Sequence, residues 1–163
     1  MVEKKFCVEG LRLHYTGLFD IVEFYKFVDH WIVQNDMEKE LKKKAEHVTK
    51  KGKKIEWLIE IWEQPMDYAK RVVRLRALFN NVTEVNIKGR KLNKVDAMIV
   101  IDGILETDIE GRYEQSPLFY FIRAMYDKLV NKFYTNRFEA KLTANTYKLH
   151  KDLKEFFGKY KNI

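Results

Sequence analysis

The sequence predicts one α+β domain, in which a run of antiparallel strands lies between a helix near the N-terminus and a long helical C-terminus. Three observations support this prediction. Alternating apolar residues indicate strands, apolar residues at helical spacing indicate the flanking helices, and no linker or internal repeat divides the 163 residues. A chain of this length can bury roughly 70% of its unfolded surface, so it needs no metal or disulfide to fold. We therefore expect residues 1–163 to form a single domain.

The first elements are predicted as a strand and a helix. Apolar and polar residues alternate over residues 4–15, and the parity changes near Gly10, which predicts a strand with a bulge at the glycine. Residues 16–17 break the alternation and predict the start of a helix, with Asp20 in its first turn, where the helix dipole favours a carboxylate. Apolar residues then recur at helical spacing, and the helix should end near Gln34.

The middle of the chain predicts a series of antiparallel strands. Residues 40–49 are polar and Lys-rich, residues 50–53 suit a tight turn, and residues 55–62 alternate between apolar and polar side chains. This pattern predicts a hairpin whose second strand has one buried face and stops at Pro65. Asn80-Asn81 and residues 88–91 are predicted as further turns. With the first strand, this gives about six strands, the last three over residues 68–79, 84–88 and 95–109.

The C-terminal third is predicted to be helical. Ser116-Pro117 is the clearest boundary, because Ser suits the N-cap and Pro suits the first helical position. Residues 118–133 carry an apolar stripe at helical spacing. Thr135-Asn136 is predicted to cap a second segment, whose apolar residues recur at helical intervals as far as Tyr160.

This order of elements resembles the helix-grip arrangement of the START and Bet v 1-like superfamily. The resemblance covers nearly the whole chain, from the strand at Phe6 to the helix ending near Tyr160, and it consists of element order without a diagnostic motif. In that family a curved antiparallel sheet wraps around a long C-terminal helix and encloses an apolar cavity. The family has two short helices after its first strand, whereas this chain is predicted to have one longer helix there and an additional helix over residues 118–133. The resemblance implies a hydrophobic or lipid-like ligand, with catalysis in only some members.

A set of apolar residues on the predicted strands and the last helix is expected to face the interior. Aromatic residues make up 14% of the chain, which suits either a bulky close-packed core or the lining of an apolar ligand cavity. The sequence leaves both open. The residues expected to face inward, between the sheet and the C-terminal helix, are Trp57, Ile59, Ile61, Ile99, Ile101, Leu149 and Leu153.

Basic residues concentrate at two of the predicted turns. The net charge is +7, which permits binding to phosphates without requiring it. If the two turns lie at the same end of the sheet, they form one positive rim. Lysines at turns also discourage edge strands from pairing with other molecules. The predicted basic patch consists of Lys42, Lys44, Lys50, Lys51, Lys53, Lys54, Lys88, Arg90 and Lys91.

No catalytic or metal-binding motif is visible. The four histidines lack metal-ligand spacing, Cys7 is the only cysteine, and no phosphate-binding or nucleophile-elbow motif occurs. Glu106, Asp108 and Glu110 recur at even intervals with Glu114 beyond, which suits either a solvated strand face or paired carboxylates. The sequence therefore predicts no cofactor, metal or catalytic residue. No segment is apolar enough to span a membrane and no signal peptide is recognised, so a cytoplasmic location is expected.

Three functional hypotheses follow from these patterns. The first is a non-enzymatic domain that binds a hydrophobic or lipid-like small molecule between the sheet and the C-terminal helix. The second is a basic adaptor that binds RNA or a ribonucleoprotein through the lysine-rich turns. The third is an enzyme that uses Glu106 and Asp108 of the last strand.

Overall fold

The computed structural model describes residues 2–66, 69–108 and 132–161. Within these ranges the chain forms five strands and two helices, which confirms the α+β class with five strands in place of about six. The predicted boundary at Ser116-Pro117 and most of the predicted helix over residues 118–133 lie outside the described residues. The elements are β1 (Val2–Phe19), α1 (Ile21–Gln34), β2 (Glu38–Thr49), β3 (Gly52–Met66), β4 (Ala69–Ile87), β5 (Arg90–Asp108) and α2 (Lys132–Gly158).

All five strands belong to one antiparallel sheet in the order β1-β5-β4-β3-β2. The four strands from β2 to β5 pair with their neighbours in sequence, and β1 joins the sheet beside β5. This arrangement places β5 at the interior of the sheet, paired on both sides, and leaves β1 and β2 at the edges. Strand β2 is exposed along almost its whole length.

The predicted turn at Asn80-Asn81 is wrong, and this accounts for the difference in strand number. The chain continues through both residues as β4, with a shift in its register to β5 between Asn80 and Thr83. Asn81 has a φ of 56°, in the left-handed region that asparagine tolerates better than most residues. A bulge and a turn both favour asparagine, so the sequence does not separate them. Pro65 likewise lies within β3, which ends at Met66.

The first strand is longer than predicted and the first helix begins later. The predicted bulge is present as register shifts between Phe6 and Leu11, and the Gly10 amide donates to Asp102 Oδ1 at 2.7 Å. Residues 16–17 remain paired with β5 instead of starting the helix. Asp20 is the N-cap of α1, where its side chain accepts from the Val22 amide at 2.9 Å. The predicted helix end at Gln34 agrees with the structure.

The C-terminal helix α2 is continuous, so the predicted cap at Thr135-Asn136 is wrong. It packs against β1, β5 and β4. It lies close to the sheet at Gly103 of β5, where an added methyl group would lie 2.6 Å from Thr146 Oγ1. Glycine is therefore required at this position by the proximity of the helix.

The turns at residues 50–51 and 88–89 lie at the same end of the sheet. Between them the chain crosses the sheet twice, once along β3 and once back along β4. We call this end the hairpin end. Lys88 and Gly89 have φ values of 51° and 78°, as a two-residue turn with left-handed φ requires. The start of α1 and the end of α2 lie here too, since Glu23 binds both Arg90, which follows the turn at residues 88–89, and Tyr160.

The tight packing at Gly103 yields a prediction for stability. Gly103→Ala should lower the free energy of unfolding by about 1–3 kcal/mol, because the methyl group forces Thr146 or the whole helix away from β5. Urea unfolding followed by circular dichroism measures this change. The matched control is Gly158→Ala at the end of α2, where an added methyl group meets nothing within 4 Å. Equal stability of the two variants would show that α2 does not lie this close to β5.

Candidate functional site

The structure places all seven residues predicted to face inward in one buried core. Trp57 is 5% exposed and the other six are completely buried. Near the hairpin end this core is aromatic: the Phe157 ring of α2 lies 4.8 Å from that of Tyr15 and 5.1 Å from that of Phe19. The grooves described below are lined by other residues. That these seven residues line a ligand cavity therefore remains a prediction.

A groove lies between α1 and the strands of the hairpin end, and we call it the sheet groove. Its volume is about 690 Å³. Residues from the N-cap and first turns of α1, from β2 and β3, and from the β4–β5 hairpin line it. Its lining is apolar at the floor and charged at the rim: Asp20, Ile21, Val22, Tyr25, Lys44, Glu46, Lys53, Ile55, Val82, Glu84, Lys91, Leu92 and Asn93.

Tyr25 is the most unusual residue of the sheet groove. Its ring packs against Trp57 at 4.8 Å between centroids, and Lys44 Nζ lies 5.2 Å from the ring centroid. The Tyr25 hydroxyl is buried and has no hydrogen-bond partner among the described residues. Burial, reinforced by the charge of Glu46, raises the pKa of Tyr25 to about 12. The hydroxyl therefore keeps its proton at neutral pH and is an unused donor beside the groove.

The charges around the sheet groove balance, since three lysines face three carboxylates. Lys53 Nζ lies 2.7 Å from Glu46 Oε2, and this bond lowers the pKa of Glu46. Asp20 is engaged as the cap of α1. Among the described residues, neither Lys91 nor Glu84 has an ion-pair partner. The groove is therefore an apolar surface with a polar rim of no net charge.

A second groove lies on the other side of α1, between α1, the end of α2 and the β4–β5 hairpin. We call it the helix groove. It has a volume of about 460 Å³ and is lined by Glu23, Lys26, Phe27, Arg90, Phe156, Lys159 and Tyr160. It shares no residue with the sheet groove. Beyond Lys159 it adjoins a smaller groove of about 210 Å³ that carries Asp152 and Glu155.

A hydrogen-bonded group of three side chains holds one side of the helix groove. Arg90 Nη2 lies 3.2 Å from both carboxylate oxygens of Glu23, and the Tyr160 hydroxyl donates to the same carboxylate. Burial, followed by this hydrogen bond, raises the pKa of Tyr160 to about 12. Lys26 and Lys159 have no ion-pair partner in the described part of the chain. Two cations of this groove are thus available to a ligand.

The structure distributes the predicted basic patch over several surfaces. Lys44, Lys53 and Lys91 line the sheet groove, whereas Arg90 lines the helix groove. Lys42 is bonded to Glu40 at 3.0 Å. The remaining members are exposed and have no ion-pair partner within the described ranges: Lys50, Lys51, Lys54 and Lys88. The two turns share one end of the sheet, and Lys53 and Lys91, from the two hairpins, both line the sheet groove, whereas Arg90 lines the helix groove.

The other candidate residues have ordinary surroundings. Glu106 lies 3.6 Å from Lys4, while the side chain of Asp108 and all of Glu110 and Glu114 fall outside the described part. Residues 2–66, 69–108 and 132–161 contain no group of His, Cys, Asp and Glu that is arranged to hold a metal ion. In the same ranges no helix has the length and apolar character needed to cross a membrane.

Sequence reasoning missed the walls that α1 contributes to both grooves. Val22 is 57% exposed although it is apolar and lies in the first turn of the helix. In the sequence, the only sign of these walls is an apolar residue, Val22, placed among charged residues at the start of the helix. No protein-family model matches the chain, and neither a curated protein nor a solved structure matches it.

The unpaired hydroxyl of Tyr25 predicts a gain in stability on its removal. Tyr25→Phe should raise the free energy of unfolding by about 1 kcal/mol. A buried hydroxyl without a hydrogen-bond partner has lost its hydrogen bonds to water and has formed none in their place. Urea unfolding measures the change. Tyr147→Phe, at an exposed tyrosine of α2, is the matched control and should have no effect. A lower stability for Tyr25→Phe than for this control would mean that the hydroxyl has a partner.

The raised pKa values of Tyr25 and Tyr160 predict a loss of stability in alkali. A tyrosine whose pKa is raised from 10.0 to about 12 on folding favours the folded state while protonated. This contribution is intact below about pH 10 and decreases as the pH rises toward 12. The double variant Tyr25→Phe/Tyr160→Phe should therefore lose less stability over this interval than the unmodified protein, as measured by urea unfolding at each pH. Parallel pH profiles would refute the assignment.

Proposed function

We propose that this protein is a binding domain of helix-grip type that holds a hydrophobic or lipid-like small molecule. The sheet groove is the proposed binding site. The observation that carries the proposal is the groove itself, with its apolar floor, its charged rim and a volume of about 690 Å³. Sites for small molecules are ordinarily concave and apolar, with volumes of roughly 300–1,000 Å³ and a few polar groups that orient the ligand.

The architecture supports the helix-grip part of the proposal. A five-stranded antiparallel sheet packs its inner face against a C-terminal helix that crosses β1, β5 and β4. The proposed site differs from the one that the sequence suggested. That site lay between the sheet and the C-terminal helix, where Leu149, Leu153 and their neighbours are fully buried within the core. The sheet groove lies instead between the sheet and α1.

Two residues of α1 support a ligand in the sheet groove. Val22 exposes an apolar side chain at the wall of the groove, and a hydrophobic ligand would cover it. Tyr25 lines the same groove, and its ring lies 4.8 Å from that of Trp57. The Tyr25 oxygen itself is buried, so the ring and not the hydroxyl is the part that a ligand meets. The ligand best suited to the groove is therefore largely apolar.

Binding of RNA has weaker support from the geometry. Lys42, Lys53 and Arg90 of the predicted patch already bind carboxylates, so phosphates would have to displace those partners. The exposed lysines at the tips of the two turns are the residues that favour this alternative. Retention on heparin with a steep dependence on salt would favour RNA binding over binding of a hydrophobic molecule.

A pair of tryptophan variants tests the sheet groove directly. Val22→Trp should fill the groove and weaken binding of the neutral fluorescent probe phenylnaphthylamine roughly tenfold or more. Val33→Trp is the matched control, because Val33 lies on the same helix, is also exposed (72%) and lines none of the grooves described above. The probe is excited above the tryptophan absorption band, and its emission is titrated with protein. Equal affinity of both variants, or no saturable binding at all, would refute the proposal.

A further inference from the structure

We propose that the helix groove is a second binding site, specific for an anion with an aromatic or apolar body. The ligand of the sheet groove does not bear on this site, because the two grooves share no lining residue. The groove joins three features that together select such a ligand. They are a positive balance of charge, a floor of aromatic rings and a guanidinium group held in place.

The charge of the helix groove differs from that of the sheet groove. Three of its lining side chains are cationic and one is anionic, which gives two net positive charges. Glu23 is already bound to Arg90 and Tyr160, so it leaves both Lys26 and Lys159 without a carboxylate among the described residues. An anion entering the groove would meet two ammonium groups that need not abandon a partner. This makes the site favourable for a carboxylate, sulfonate or phosphate group.

The floor of the helix groove consists of aromatic rings. The rings of Phe27 and Phe156 lie 5.1 Å apart, and those of Phe156 and Tyr160 lie 5.3 Å apart. Ring faces and edges at such distances provide a surface on which another flat apolar group can pack. A small inorganic anion would leave this surface uncovered. The geometry therefore selects an anion that carries an aromatic or other apolar body.

The surroundings of the groove determine where the anionic group lies. Arg90 is anchored by Glu23 and faces the Tyr160 ring, with its guanidinium carbon 5.8 Å from the ring centroid. On the far side of Lys159, the smaller groove carries Asp152 and Glu155, which repel an anion. The anionic group is consequently placed near Lys26, and Arg90 keeps its ion pair with Glu23. The apolar body lies along Phe27 and Phe156.

Two fluorescent probes with a common aromatic framework test this site. Anilinonaphthalene sulfonate carries the anionic group, and phenylnaphthylamine lacks it. The double variant Lys26→Glu/Lys159→Glu should weaken binding of the sulfonate roughly tenfold or more, because attraction becomes repulsion at contact distance. Binding of the neutral probe should change less than about twofold. Val22→Trp, which blocks the sheet groove, should leave the sulfonate site intact, so failure of one site is distinguishable from failure of the other.

The matched control is Lys151→Glu/Lys154→Glu. These two exposed lysines lie on α2, line none of the grooves described above, and change the net charge by the same amount. The control should weaken sulfonate binding less than about twofold, because neither lysine lines the groove and salt screens the attraction between exposed charges that are not in contact. Circular dichroism and urea unfolding verify that both double variants are folded. Equal weakening by both variants, no weakening by either, or no saturable binding of the sulfonate would each overturn the proposal.

Discussion

The packing of α2 against β1, β5 and β4 is the contact on which the rest of the structure depends. Strand β5 pairs with β1 and β4, and Gly103 lets the helix approach it closely enough for Thr146 to occupy the space of a side chain. At the end of the same helix, Phe157 packs against rings from β1 and α1. Because one helix contacts both the sheet and α1, its position fixes where α1 lies. The location of both grooves follows from this.

Helical periodicity explains why α1 serves two grooves at once. Ile21, Phe24 and Val28 point into the core, as their spacing requires. Residues one position later, such as Val22 and Tyr25, line the sheet groove, whereas Glu23, Lys26 and Phe27 line the helix groove. At about 100° per residue, these three sets project in different directions. A helix that lies on a sheet with another helix beside it therefore has two flanks. The side chains on one flank can differ in charge and polarity from those on the other.

The sequence predicted those features of the fold that depend on local pattern. Alternation over residues 55–62 identified the buried face of β3, and the parity change located the bulge near Gly10. It failed where two structures use the same residues, as at Asn80-Asn81, where a bulge replaces a turn. The grooves were beyond its reach for a different reason. Their lining comes from α1, two hairpins and α2, so only the packing of these elements brings Val22 near Ile55, or Lys26 near Arg90.

The net charge of +7 is a poor guide to where this protein attracts anions. Along the β2–β3 hairpin, lysines pair with carboxylates across the strands, as Lys43 does with Glu56 at 3.0 Å and Lys53 with Glu46 at 2.7 Å. These pairs are exposed, so each adds little stability, but the lysines also protect the free edge of β2 from other strands. What matters for recognition is a cation without a partner beside an apolar surface. Within the described part of the chain, Lys26 and Lys159 meet that condition in the helix groove, because Glu23 is already paired with Arg90. The place where an anion is attracted is thus determined by which lysines lack a carboxylate partner, and not by the net charge.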